Sequence, residues 1–173
     1  LIGKELFVKS SAHRSDDQTS PNAAARKSQE WYADGLQFEC TMCGACCTGD
    51  PGVVRFSEDE SKGIARRLGI TVAAFLERFT HHIGGGRRSL NEVETEHGFD
   101  CVFLDRKSMP GKAVCSLYED RPLQCRTFPW WPENLKSPRA WQGVAKACEG
   151  VGQGRLVPIS EIRIERDRQR TQG

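Results

Sequence analysis

Apolar positions in this chain fall in short, separated runs, and their spacing predicts a series of small elements rather than long ones. Residues 9–29 hold almost no large apolar side chain, which predicts an extended polar arm. Such a segment buries too little surface to offset the entropy of ordering it. Ahead of it, Leu1, Ile2, Leu6, Phe7 and Val8 form a candidate anchoring patch. Trp31, Tyr32, Leu36 and Phe38 restore apolar character and are expected to pack beside the cysteine-rich stretch that follows. After a turn at Gly49–Gly52, Val53, Val54 and Phe56 read as a strand-like run.

Ser57 and Glu60 form a capping box, with Glu58 and Asp59 adding favourable charge to the first turn. They predict a helix over 58–68 that turns Ile64, Ala65 and Leu68 inward and stops at Gly69. Thr71 heads a second helix over about 72–82, where Val72, Phe75, Leu76 and Phe79 recur at helical spacing. His81 and His82 fall at its end, and Gly84–Gly86 reads as a plain linker. Residues 90–96 suggest an edge strand. Residues 99–104 and 113–118 predict the two arms of one β-hairpin, each carrying a cysteine. Pro122, Pro129 and Pro132 keep the next segment irregular or confined to short turns. Trp130 and Trp131 in it are either an apolar cover or a protein-binding patch. A short apolar stretch and a solvated helix or tail complete the chain.

The predicted architecture is a small, irregular, metal-stabilised α+β domain with two short helices, a β-hairpin and many loops. Its divisions are a polar arm over 1–30, a cysteine-cluster domain over 31–154 and a tail over 155–173. At 173 residues, 38 % hydrophobic and 28 % charged, the chain can bury only a modest core, which metal binding would supplement. A net charge of +2 gives no strongly basic face for nucleic acid. No apolar run approaches the roughly 20 residues of a membrane span, and Leu1–Val8, interrupted by Lys4 and Glu5, lacks the form of a secretory signal.

The chemistry resides in eight cysteines. Cys40, Cys43, Cys46 and Cys47 form a C-x2-C-x2-C-C cluster, while Cys101, Cys115, Cys125 and Cys148 are dispersed. Thiolates select soft metals and iron–sulfur clusters. A disulfide framework fits poorly, because a bond between adjacent Cys46 and Cys47 would be strained. Unpaired thiolates suit a reducing compartment, the cytoplasm or an organelle matrix. The local triple with one remote cysteine is the spacing of 4Fe–4S ligation, whereas zinc sites more often use two separated pairs. Two four-thiolate centres that divide Cys46 and Cys47 between them are one option. One centre with further structural or resolving cysteines is the other. Arg121 and Arg126 flank Cys125 and are candidate cofactor-binding residues, able to offset thiolate charge. Ion pairs with Glu119 and Asp120 are their alternative use.

These positions resemble the YkgJ-type CxxCxxCC cysteine-cluster proteins, described as a zinc- or iron-chelating domain. The resemblance rests on Phe38, Cys40, Cys43, Gly44, Cys46 and Cys47; on Cys101, Phe103 and Leu104; on Cys115, Tyr118, Arg121, Pro122, Cys125, Arg126, Phe128 and Pro129; and on Cys148. It covers residues 36–154 and implies all eight cysteines as metal ligands. The family includes flagellin lysine methylases, thought to carry an iron–sulfur cluster. The expected function is a metal-binding structural or accessory subunit of a larger complex, holding iron–sulfur (4Fe–4S favoured) or zinc. The arm and the Trp130–Trp131 pair are its expected partner contacts. The alternative is an iron–sulfur-dependent redox or methyl-transfer enzyme.

Overall fold

A computed structural model describes residues 30–170. The arm and its apolar patch therefore lie outside the described residues, apart from Glu30. The described fold is α+β, with six α-helices and four two-stranded antiparallel sheets. Helix α1 (Glu58–Leu68) and helix α2 (Val72–Phe79) form the first helical pair. The capping box is complete: Glu60 N donates to Ser57 Oγ, and the Ser57 amide donates to Glu60. Thr71 caps α2 by accepting from Ala74 N.

Two sequence expectations need correction nearby. Helix α2 stops at Phe79, and Thr80–Gly84 is a strand, β2, that pairs with β3 (Arg87–Leu90). The Gly84–Gly86 stretch is the tight turn between them. All three glycines take positive φ, which permits a reversal too sharp for other residues. His81 and His82 consequently lie on a strand, against Asn91 and Arg88. The second correction concerns the hairpin. Strand β4 (Glu92–Thr95) pairs with β5 (Gly98–Cys101), so Cys101 lies opposite Glu92. Cys115 belongs to a separate two-residue ladder between β6 (Leu104–Asp105) and β7 (Val114–Cys115). The chain turns at Val102–Phe103, so one long hairpin arm becomes two short strands. Val53–Phe56 forms no strand, although Val54 N donates to the Ser89 hydroxyl and Val54 O accepts from Leu90 N on β3.

The remaining helices are α3 (Leu123–Arg126), α4 (Pro132–Leu135), α5 (Pro138–Ala147) and α6 (Ile159–Arg170). Strand β1 (Leu36–Phe38) pairs with β8 (Val151–Val157) and so joins widely separated segments. Beyond β8, α6 exposes Arg163 and Arg168, fully buries Ile162 and turns Arg166 onto the Tyr32 hydroxyl.

Two hydrophobic cores result. One gathers Tyr32, Trp130, Leu135, Trp141, Val157 and Ile162. Trp130 stacks on Trp141 with 5.5 Å between ring centroids, and Phe38 meets Trp130 edge-on at 5.7 Å. Trp130 is only 6 % exposed, so it is a core residue and cannot serve as a docking patch. Trp131 is half-buried and donates its indole N–H to Gln124 O. The other core gathers Ile64, Ala65, Phe75, Leu90, Phe103 and Leu117.

Candidate metal centre

The C-x2-C-x2-C-C loop is held at its entry, middle and exit. At its entry Glu39 N donates to Gly150 O, in the glycine-rich turn after Cys148. That backbone approach is so close that a Cβ on Gly150 would stand 2.1 Å from Glu39 O. In the middle, Ala113 N donates to Met42 O and Lys112 Nζ donates to Thr41 O. At its exit, Phe99 N donates to Gly49 O and Thr48 Oγ1 donates to His97 O. Gly44 takes φ 79° and packs against Ala113, where a Cβ would collide. The loop then closes in a single 3-10 turn over Ala45–Cys47.

The remote cysteines reach the loop from four elements. Cys148 caps α5, Cys125 sits on α3, Cys115 on β7 and Cys101 on β5. Helix α3 is fastened to the head of α1, because Leu123 N donates to Glu60 and Arg126 pairs with the same carboxylate at 3.4 Å. Gln124 further ties it to Val53 O and Arg55 N.

These elements enclose a cleft of about 560 Å³ of empty space, including its open mouth. Seven cysteines line it: Cys40, Cys43, Cys46, Cys47, Cys115, Cys125 and Cys148. Cys101 is not among the lining residues, but its thiol interacts electrostatically with those of Cys115 and Cys46. Phe38, Leu104, Ala113, Tyr118 and Phe128 supply an apolar wall. Thr41 and Met42 complete it, and neither stood out as a site residue in the sequence. Their only sequence signal is position, between Cys40 and Cys43.

The two candidate arginines separate. Arg121 lines the cleft, with its guanidinium 3.9 Å from the Tyr118 ring centroid and its Nε donating to Tyr118 O. Arg126 turns away to Glu60. Asp120, an alternative partner for either, pairs with Arg67 instead.

The thiols form an interacting set. Cys46 Sγ and Cys47 Sγ are 3.4 Å apart. Hydrogen bonding from Cys47 holds the Cys46 thiol down to about 7, with help from Arg121, while the same bond and burial push Cys47 up. Burial raises Cys101 and Cys148 to about 11 each, and Cys148 also meets the Cys43 thiol. Cys125 and Cys115 are raised chiefly by burial. Metal binding takes the protons from buried thiols of this kind, and the ligated thiolates are then stabilised by the metal charge.

The donor set therefore fits a soft metal. Among the described residues, however, no three Cys, His, Asp or Glu side chains are gathered as a group able to hold one metal ion. The thiols share a cleft without closing on a single point in it.

A family model for a "Putative zinc- or iron-chelating domain" matches residues 39–149. The chain belongs to the CxxCxxCC family. The match spans every cysteine of the cleft, and the CxxCxxCC signature itself is the loop from Cys40 to Cys47. No solved structure matches the chain.

Proposed function

We propose that the cleft holds an iron–sulfur centre, 4Fe–4S in preference, and that this centre makes the protein a structural or accessory subunit of a larger complex. The observation that carries the metal reading is that seven thiols line one apolar-walled cleft while no three of them, among the described residues, converge on one point. With Zn–S bonds of about 2.3 Å, four thiolates on one zinc ion sit within about 4 Å of one another. An iron–sulfur cluster needs its thiolates farther apart, because sulfide and iron occupy the space between them. A structural role for the centre is supported by the origin of the donors. Cys101 and Cys115 pack on the phenylalanine-rich core, while Phe38 beside the loop packs on the tryptophan-rich one. A centre ligated from both sides fastens the two together. The arm over 1–30 is the segment we assign to partner contact.

Iron and acid-labile sulfide should be measured on anaerobically purified protein. Iron with matching sulfide supports the reading. Colourless protein holding zinc overturns it in favour of a structural zinc site. The redox or methyl-transfer alternative draws on the open side of the cleft, where Cys40 and Cys46 are exposed. Turnover of a methyl donor or an electron acceptor by the loaded protein would favour it.

A further inference from the structure

Thr41 Oγ1 is sealed from solvent and has no hydrogen-bond partner among the described residues. A buried hydroxyl without a partner loses its hydration and gains nothing in return. Thr41 Oγ1 is the one buried side-chain nitrogen or oxygen among the described residues that lacks a partner. The Thr41 carbonyl accepts from Lys112 Nζ at 2.9 Å, and the Met42 carbonyl accepts from Ala113 N at 2.8 Å. These bonds hold the Thr41 and Met42 carbonyls between Cys40 and Cys43. Thr41 is itself part of the wall of the cysteine cleft.

We propose that the Thr41 hydroxyl is a hydrogen-bond donor to metal-bound sulfur in this cleft, completed only when the thiols are ligated. The acceptor class is an anionic sulfur, a cysteine thiolate in either metal reading or a sulfide in the iron–sulfur one. No cysteine sulfur stands in bonding position to Thr41 Oγ1 here, and ligated thiolates, drawn together and charged, accept hydrogen bonds readily. A ligated sulfur would give this hydroxyl the partner that no described residue provides. Thr41 acts through the sulfur and not on the metal, as a positioning residue of the centre.

The inference rests on the metal-binding reading of the cleft but not on the choice of iron–sulfur over zinc. Its test accordingly uses Cd2+ alone as a thiolate-seeking probe, measured by chelator competition on the full chain under reducing conditions. Thr41→Val keeps the shape and removes the donor; Thr41→Ser keeps the donor and removes a methyl. Thr41→Val should bind Cd2+ about tenfold more weakly, the loss of one ordinary hydrogen bond. Thr41→Ser should stay within about twofold of the parent. Unfolding of the metal-free proteins supplies the opposing readout: Thr41→Val should be as stable as the parent or more so, because it deletes an unsatisfied group. Unchanged Cd2+ affinity in Thr41→Val overturns the proposal. So does equal loss in both variants, which would assign the effect to packing. Iron and sulfide content of the parent tests the other reading separately, since a zinc result there leaves the Cd2+ comparison intact.

Discussion

The two cores are built in different ways. The phenylalanine-rich core draws every buried member from residues 64–117 and closes over helices α1 and α2 and the short strands after them. Phe75 lies at its centre, with Phe56 at 5.4 Å and Phe79 at 6.4 Å. The tryptophan-rich core takes Tyr32 from one end of the described chain and Trp130 to Ile162 from the other. Local contacts form with little loop-closure entropy, whereas the second core requires distant segments to meet. The cysteine loop leaves β1 in the second core and returns to β7 and β5 beside the first. A metal held in the cleft, as proposed above, would supply a crosslink where chain connectivity supplies least.

The most severe way to break this picture is to remove a ligand. Cys43→Ser takes away the thiol that meets Cys148, on the tryptophan-rich side of the cleft. The variant is expected to lose metal and to be destabilised by several kcal/mol, on the order of the folding energy that a structural metal contributes. Metal analysis and thermal unfolding check both. A folded, fully loaded Cys43→Ser protein would remove this residue from the ligand set.

Truncations in the two cores sharpen the comparison. Trp130→Ala and Phe75→Ala should each cost about 3–5 kcal/mol, the usual range for a buried aromatic. In the metal-free protein their effects should add, because the cores share no buried member. In the loaded protein the pair should depart from additivity by about 0.5–3 kcal/mol, as coupled sites do. Denaturant unfolding of the double-mutant cycle, with and without metal, reads this directly. Additivity in both states would mean that the centre does not join the cores.

Local signals were legible where a side chain acts on its own neighbourhood. Ser57 with Glu60, and Thr71 before Val72, marked two helix starts, and the structure has both caps. Ser137 followed by Pro138 carried the same kind of information for α5, a helix the spacing of apolar residues did not announce. The strand partners were not legible. Cys101 and Cys115 lie in similar short apolar runs, and only the turn at Val102–Phe103 assigns them to different ladders. The pairing of β1 with β8 joins residues more than a hundred positions apart, which no local pattern records. The cysteine spacing identified the cleft, yet Arg121 and Arg126 looked equivalent on either side of Cys125. Glu60, distant in sequence, separates them by drawing Arg126 away.

Asp100 gives an intermediate effect with a defined pH dependence. It is 5 % exposed on β5, next to Cys101, and accepts two hydrogen bonds from Arg106. The guanidinium holds its carboxyl down to about 2. A carboxylate lowered on folding contributes stability that is fully present above its unfolded value of about 3.9. That contribution is lost as pH falls through the folded value of about 2. Asp100→Asn should therefore cost about 2 kcal/mol at neutral pH and flatten the acid side of the stability profile. Urea titrations from pH 7 down to about 2 would show it. An unchanged profile would mean that the Arg106 pair does not help fasten β5 beneath the cysteine loop.

The smallest effect separates two jobs done at one helix start. Ser57→Ala removes the cap of α1 and should cost about 1 kcal/mol, with metal affinity unchanged. Glu60→Ala removes the other half of the capping box and also the acceptor for Leu123 N and Arg126. Helix α3, which carries Cys125, is then left with its Gln124 bonds to Val53 and Arg55. Glu60→Ala should therefore cost more than Ser57→Ala and, unlike it, weaken metal binding. Chelator competition on the two variants makes the distinction. Equal affinity in both would show that Cys125 is positioned by the Gln124 bonds to Val53 and Arg55 alone, and that the head of α1 stabilises the fold without reaching the centre.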